Sequence, residues 1–511
     1  MTEPGLTDTG TAHRLTRRIA SVLTLEPDAG AIEYDGRWTT WGQLAGLAER
    51  IKDICLETST GDVPRVGILL RNRPAHVAAF LGVLLAGGCV VVINPSRGDA
   101  RTRSDIADLE LPVVIGEADD LRNLVDPQST TTVVTITDMT IEPEVASATA
   151  NSRGPAHDGS GTAVLMLTSG TTGPPKRVAL TYDMLARSVL GADHRSDDNR
   201  SPDTDSSAPA RLSSGVAIVN APLVHIGGVF RTLQCIVAAR PYVLLPRFEI
   251  GSWADAVRRY RPRAVSLVPT AVRMVLHSDL TRADLASIRV VTSGTAPLSA
   301  EDADAFTDKF GIPVLTSYAA TEFGGGVAGW TLADHREFWE AKRGSVGRAN
   351  PGSRLRVVAD DGTVLGPGET GLLEVVPGQL GPSSDWIRTT DLARIDSDGF
   401  LWIVGRADQA IIRGGFKVIP EDVRTALESH PSVEGASVVG RPDDRLGATP
   451  VAMVELRSGE AVTDGELAEY LSDRLARYEI PTAIVIVDAI PRTPSGKADL
   501  TAVRSRLESG E

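Results

Sequence analysis

"VGILLRNRPAHVAAFLGVLLAGGCVVVINP", residues 66–95, decides the fold class. Its first five residues form a short apolar run bounded by polar positions, the pattern of a buried strand. "PAHVAAFLGVLLAGG" (74–88) predicts a helix with Pro74 in its first turn, where a missing N–H leaves no hydrogen bond unmade. "CVVVINP" (89–95) reads as the next strand. Strands that are apolar on both faces and joined through a helix belong to a parallel sheet covered by helices.

The pattern extends in both directions. Upstream, "TTWGQLAGLAERIKDICLE" (39–57) spaces Trp41, Leu44, Leu47, Ile51 and Ile54 as one helical face, and Thr40 with Gln43 has the form of a capping box. Downstream, "GVAIVNAP", "YVLLP", "AVSLVP" and "IRVVTSG" are apolar runs closed by turn residues, whose carboxyl ends are expected to face a site. Between them the polar stretch 193–214 is expected to be a mobile surface insertion. After "GRADQA" (405–410) the units become smaller: a helix from Glu421, strands near "ASVVG" and "VAMVEL", a helix opened by the Thr463 and Glu466 box, and the strand "AIVIVD". The expected fold is α/β, with a large N-terminal domain (1–407) of mixed and parallel sheets covered by helices. A small α+β domain (408–511) follows, with the boundary near Asp408.

A chain of 511 residues exceeds the size at which one core usually divides, in keeping with two domains. Its net charge of −14 argues against nucleic acid as a partner. Cys55, Cys89 and Cys235 stand far apart, without metal or redox spacing, and point to a reducing compartment. The amino-terminal stretch lacks signal-peptide order and no apolar run approaches the length of a transmembrane span, so a cytoplasmic location is expected. No serine lies in G-x-S-x-G, which removes the hydrolase elbow.

The segment "LTSGTTGPPK" (167–176) carries the first chemical signal. Gly170 and Gly173 let backbone amides approach a ligand, and successive N–H groups in such a turn form an anion-binding concavity. Thr168, Ser169, Thr171 and Thr172 add hydroxyl donors, and Lys176 adds a point charge suited to phosphate. It differs from the G-x-x-x-x-G-K-[ST] loop, because its glycines are three apart and Pro174 and Pro175 precede the lysine. Alone, it reads equally well as an ordinary surface turn.

Further motifs follow in order: "TSGTAP" (292–297), "SYAATE" (317–322), "ETGLLEV" (369–375), "IRTTDLA" (387–393), "GRADQAIIRGGFKVIPEDV" (405–423) and "PRTPSGK" (491–497). Together they resemble the superfamily of acyl-adenylate-forming enzymes, which holds acyl- and aryl-CoA ligases, luciferases and peptide-synthetase adenylation domains. The resemblance covers roughly residues 30 to 500 and is strongest to an acyl-CoA ligase. It implies that ATP, Mg²⁺ and coenzyme A are used and that the small domain moves. Residues 168–173 and Lys176 would then hold phosphate, Glu322 Mg²⁺, Thr321 the α-phosphate, and Asp391 the ribose hydroxyls, with Arg406 on ribose or phosphate. Tyr318 and the backbone of Gly294, Thr295, Ala296 and Pro297 would form the adenine slot.

By the same resemblance Lys497 would swing in to bridge the carboxylate and the α-phosphate, and Gly414 and Gly415, next to Lys417, would line the pantetheine tunnel. His225 matches a histidine at the mouth of the acyl pocket, a position that equally suits a satisfied core histidine. Two positions depart from the family: Ala319 and Thr390 stand where glycine is usual, adding bulk near the nucleotide without removing charge.

The acid itself is less defined. "APLVHIGGVFRT" (221–232) has no acidic residue to pair with a substrate ammonium, which favours an uncharged organic tail. Gly227, Gly228 and Gly324 to Gly326 either leave room for an aromatic, polycyclic or fatty acid or serve backbone packing. The expected function is a carboxylic acid–CoA ligase acting through an acyl-adenylate. Alternatives are transfer to an amine or carrier protein, and a nucleotide-binding protein without catalysis.

Overall fold

The computed structural model describes residues 12–58, 64–96, 99–129, 131–146, 161–168, 176–191, 210–413, 416–443, 446–493 and 496–509. The founding unit is present. Strands Arg65–Leu69 and Cys89–Ile93 pair in parallel, and helix Pro74–Leu85 joins them. They lie inside a seven-stranded sheet completed by Val113–Gly116, Thr132–Thr135, Glu144–Ala146, Thr162–Thr168 and Lys176–Thr181.

Helix Trp41–Thr58 covers this sheet, with Trp41, Leu44, Leu47, Ile51 and Ile54 buried, as their spacing predicts. Its start is fixed by a reciprocal box: the Gln43 amide donates to Thr40 Oγ1 at 3.2 Å, and the Thr40 amide donates to Gln43 Oε1 at 2.9 Å. The helix packs so tightly on Pro74–Leu85 that a Cβ on Gly82 would stand 2.5 Å from the Ala48 carbonyl oxygen. Leu81 is fully buried in the same layer, so Leu81→Ala should cost about 2–5 kcal/mol through lost transfer energy and the cavity left behind.

Two further sheets carry the downstream runs. Ala217–Val219 and Gly30–Tyr34 flank Tyr242–Leu244 in parallel, while Ala264–Ser266, Val290–Ser293 and Val314–Ala320 form a parallel row. The last strand turns back antiparallel into Gly325–Gly329. A fourth sheet, Arg354–Val358, Thr370–Val376, Ile387–Ile395 and Leu401–Arg406, is wholly antiparallel, an arrangement the strand–helix rhythm upstream gives no hint of.

The turn Ala407–Gln409 takes the chain out of that sheet and into another. This last sheet holds Ile411–Arg413, Phe416–Val418, Val433–Asp443, Gly447–Leu456 and Ile484–Val487, packed by helices Pro420–Glu428, Asp464–Ser472 and Leu500–Ser509. Helix Asp464–Ser472 starts on the expected Thr463 and Glu466 capping box. One expectation needs correction. Much of the stretch 193–214 lies outside the described residues, but its end is docked: Ala210 and Leu212 pack on the main core, and the Ser213 amide donates to the Ala239 carbonyl at 2.9 Å.

Candidate active site

Tyr318, Asp391 and Arg406 come from different strands and meet through strand register. Asp391 and Arg406 are direct cross-strand partners in the antiparallel sheet, which brings Arg406 Nε within 3.9 Å of Asp391 Oδ1. The Tyr318 hydroxyl donates to Asp391 Oδ2. Burial raises the phenol pKa above its usual value and the Asp391 charge adds to this, so Tyr318 stays protonated as a donor.

Arg406 is oriented by two more partners. It donates to both Asp408 carboxylate oxygens, at 2.9 and 2.7 Å, and to Thr390 Oγ1 at 2.6 Å. The Asp408 hydrogen bond is the main cause that raises the guanidinium pKa. Thr390 is one of the two departures from glycine, and its added bulk supplies an acceptor. The Asp391 amide donates to Thr389 Oγ1 at 3.0 Å, and the Thr389 hydroxyl is anchored on the Leu373 carbonyl at 2.9 Å.

Beside this cluster, "TSGTAP" leaves the end of strand Val290–Ser293. A Cβ on Gly294 would lie 2.8 Å from Ser317 Oγ, so only glycine lets the two segments approach. Thr295 has φ +73°, a left-handed conformation costly for a β-branched residue and commonest where a functional geometry is imposed. Thr295 and Pro297 are exposed, and Ala296 is half-buried between them.

Thr321 and Glu322 sit on the short turn Thr321–Phe323 that follows strand Val314–Ala320. Gly324 closes the turn at φ +68°, and the Ser188 hydroxyl donates to its carbonyl at 2.9 Å. Glu322 is exposed. Among the described residues no three His, Cys, Asp or Glu side chains gather to hold a metal ion. Glu322 therefore offers one hard oxygen of the kind that suits Mg²⁺, an ion that commonly takes one or two protein carboxylates and completes its shell with substrate phosphate and water.

His225 precedes helix Ile226–Val237, and its Nε2 is buried and meets no hydrogen-bond partner among the described residues. Among those residues it lacks the partner that a satisfied core histidine would have. Burial lowers the imidazole pKa, and the Lys497 charge lowers it further, leaving the ring neutral at neutral pH. His225 borders a cavity of about 170 Å³ lined also by Arg71, Asn72, Asn94, Ser96 and Pro246.

Lys497 arrives from the small sheet's side of the cleft on a tight turn. The Thr493 amide donates to the Lys497 carbonyl at 2.7 Å, and the Thr270 hydroxyl donates to the Gly496 carbonyl at 3.4 Å. Its ammonium has no hydrogen-bond or ion-pair partner among the described residues. The side chain keeps solvent access in a cleft whose walls crowd it. That desolvation lowers its pKa, as does Arg406, while Asp391 and Glu322 oppose the shift.

The structure thus gathers Lys497, Glu322, Asp391, Arg406, Tyr318 and His225 around one cleft. Ser169, Gly170, Thr171, Thr172 and Gly173 of the glycine-rich loop lie outside the described residues, as do Gly414 and Gly415. The flanking positions are described: Thr168 and Lys176 are register partners on adjacent strands, and Lys176 is exposed. Lys417 pairs with Ile412 in the hairpin after Ala407–Gln409.

The reading of the glycines divides. A Cβ at Gly227 would meet open space. At Gly228 it would stand 2.1 Å from the Pro222 carbonyl oxygen, and at Gly324, Gly325 and Gly326 within 2.7, 3.1 and 3.3 Å of Met184, Gln379 and Asn350. Those four serve close packing, and Gly227 alone of the five leaves room.

Residues 20–378 match the AMP-binding enzyme family, and residues 422–497 match the AMP-binding enzyme C-terminal domain. The chain belongs to the AMP-binding enzyme family. Among relatives in this family, indoleacetate–CoA ligase of Aromatoleum aromaticum is 29% identical over 504 residues, spanning 94% of this chain and 95% of that protein. 4-Coumarate–CoA ligase 2 of Oryza sativa subsp. japonica is 29% identical over 522 residues, spanning 94% and 90%. ATP-bound MatB from Rhodopseudomonas palustris shares the fold, with a TM-score of 0.80 at 23% identity over 96% of this chain and 99% of that one. Both named relatives are acid–CoA ligases, and AMP-forming acid–thiol ligation is the enzyme class to which this likeness assigns the chain.

Proposed function

We propose that this protein joins an organic acid to coenzyme A in two half-reactions, with ATP as the activating reagent and an aromatic or similarly bulky acid as substrate. The observation that carries this reading is the convergence of the Lys497 ammonium, which has no partner among the described residues, with the Tyr318, Asp391 and Arg406 cluster and with Glu322. In the first half-reaction the substrate carboxylate oxygen attacks the α-phosphorus of ATP, the bond to the β-phosphate oxygen breaks, and pyrophosphate leaves with the electron pair. In the second, the CoA sulfur, having lost its proton, attacks the acyl carbon, and AMP leaves.

Asp391 accepts hydrogen bonds from the ribose hydroxyls, and Tyr318 with Gly294 to Pro297 receives the adenine. Lys497 lies between the carboxylate and the α-phosphate, where its charge offsets the build-up of negative charge on the phosphoryl oxygens. Thr321 donates to the same phosphate, and residues 168–173 with Lys176 hold the outer phosphates. Glu322 would hold Mg²⁺, which would supply charge neutralisation at the phosphates. His225 does not need to act as a base, because the carboxylate is already ionised at neutral pH. Rotation of residues 408–511 about Asp408 then exchanges Lys497 for Gly414, Gly415 and Lys417 beside the CoA path.

The open space at Gly227 and the aromatic acids named for the two relatives support a bulky substrate. A cytoplasmic location fits three buried cysteines, whose thiols burial pushes up to about 12, and the absence among the described residues of any helix long and apolar enough to cross a membrane. The test is pyrophosphate release across a panel of acids, with mass analysis of products made with and without CoA. Thioester supports the proposal. Adenylate that ignores CoA points to an amine or carrier protein as acceptor, and no pyrophosphate from any acid removes the catalytic reading.

A further inference from the structure

Arg231 lies on helix Ile226–Val237, one turn beyond Gly227 and Gly228. It keeps some accessible surface but is surrounded by protein, a recess rather than an outer face. It donates from Nη1 to Gln234 Oε1 at 3.2 Å and from Nη2 to Thr292 Oγ1 at 3.0 Å. Both acceptors are neutral. Among the described residues no carboxylate pairs with it, and the titratable group that acts on it electrostatically is the Cys235 thiol, which burial holds neutral with a pKa of about 12. Desolvation lowers even the guanidinium pKa.

A guanidinium without a counter-charge in such a place is costly, so its retention calls for a partner. Two independent observations bear on where that partner would lie. Thr292 opens "TSGTAP", which ties Arg231 to the proposed nucleotide wall. Gly227, at i−4, shares the helix face of Arg231, and a Cβ there would meet only open space.

The geometry points to an acid that carries a second anionic group, a carboxylate at the far end of its tail, read by Arg231. This replaces the uncharged tail expected from the lack of acidic residues in 221–232, and it rests on the ligase reading above. Six residues of helix separate His225 from Arg231, a rise of about 9 Å, so the two carboxylates stand on the order of one aryl ring and a short arm apart. The remaining N–H groups of the guanidinium supply the paired donors that a planar carboxylate accepts.

The experiment compares matched acids on the full-length enzyme by pyrophosphate release: 3-phenylpropanoate against its 4-carboxy derivative, and octanoate against octanedioate. The wild type is expected to favour the diacid in at least one pair by about 10-fold or more in kcat/KM. Arg231→Met should lower the diacid value by about 10- to 100-fold while leaving the monoacid unchanged or improved, and Arg231→Lys should keep part of the preference. The melting temperature of Arg231→Met should hold or rise, because a charge without a partner has gone. A wild-type preference for the monoacid in both pairs overturns the inference and leaves the ligase reading intact, as does an equal loss of both acids in Arg231→Met. Absence of pyrophosphate with every acid would instead overturn the ligase reading itself.

Discussion

Asp391 and Lys497 face one cleft but are held in opposite ways. Asp391 sits in a sheet, receives the Tyr318 hydroxyl, neighbours Arg406 across the strand pair, and has its own amide tied to Thr389. Among the described residues Lys497 is positioned through backbone, on a turn that touches the large lobe by a long hydrogen bond from Thr270. Other cross-lobe polar contacts among the described residues are Arg406 on Asp408 at the hinge itself, Arg273 3.5 Å from Glu428, Arg457 2.9 Å from His277, and His277 4.0 Å from Glu434. A groove that must recognise the same nucleotide each time is built rigid. A cation that must leave between half-reactions is presented bare, so departure breaks little.

The largest effect should come from the bare partner. Lys497→Ala is expected to reduce pyrophosphate release by about 10²–10³-fold, while thioester formation from supplied acyl-adenylate changes little. Equal loss in both assays would erase the contrast between the two regions. In the rigid region, Asp391→Ala should raise the KM for ATP by about 10- to 100-fold, with a smaller change in the KM for the acid. Similar changes in both would mean that Asp391 serves the fold rather than the ribose.

The charge on Lys497 gives a pH test with a fixed sign. Its protonated form is the working form, and its pKa is lowered below the ordinary 10.5, mainly by desolvation and then by Arg406. Adenylation is therefore present below that lowered pKa and lost, by about tenfold per unit, as pH rises through it. Asp391 and Glu322 work the other way, and His225 nearby is already neutral. In Arg406→Leu the alkaline limb should move to higher pH; a limb that stays put would separate Lys497 from the cluster.

The smallest change is expected from Thr390→Gly, which removes one of the hydrogen bonds orienting Arg406. A loss of about three- to tenfold in kcat/KM for ATP fits the net contribution of one ordinary hydrogen bond, about 0.5–1.5 kcal/mol, with Asp408 still holding Arg406. No change would reduce Thr390 to a tolerated substitution.

What the sequence made legible was local or carried by motif. The Thr40 and Gln43 box, the face from Trp41 to Ile54 and the helix from Pro74 follow from spacings within one turn or a few. The clefts' charged residues were found because each stands in a short distinctive motif. Couplings across the chain were not legible: Tyr318 and Asp391 are 73 residues apart, and only strand register shows that the tyrosine assigned to the adenine slot also holds the proposed ribose acceptor. Thr390 was visible as a departure from glycine, but its bond to Arg406 depends on a strand 16 residues away. Arg231 left a faint signal, a single cation in an otherwise apolar and polar-neutral helix, whose meaning depends on the carboxylates it does not meet. The glycines were ambiguous for the same reason, since room or contact is decided by what packs opposite.

The most direct test of the paired rigid groove and travelling cation is a crystal structure of the enzyme with ATP and magnesium. The account predicts adenine against Tyr318 and Gly294 to Pro297, both ribose hydroxyls on Asp391, and the Lys497 ammonium within hydrogen-bond distance of the α-phosphate. A nucleotide bound away from Asp391, or an α-phosphate met by a fixed residue of the large lobe with Lys497 turned outward, would contradict it.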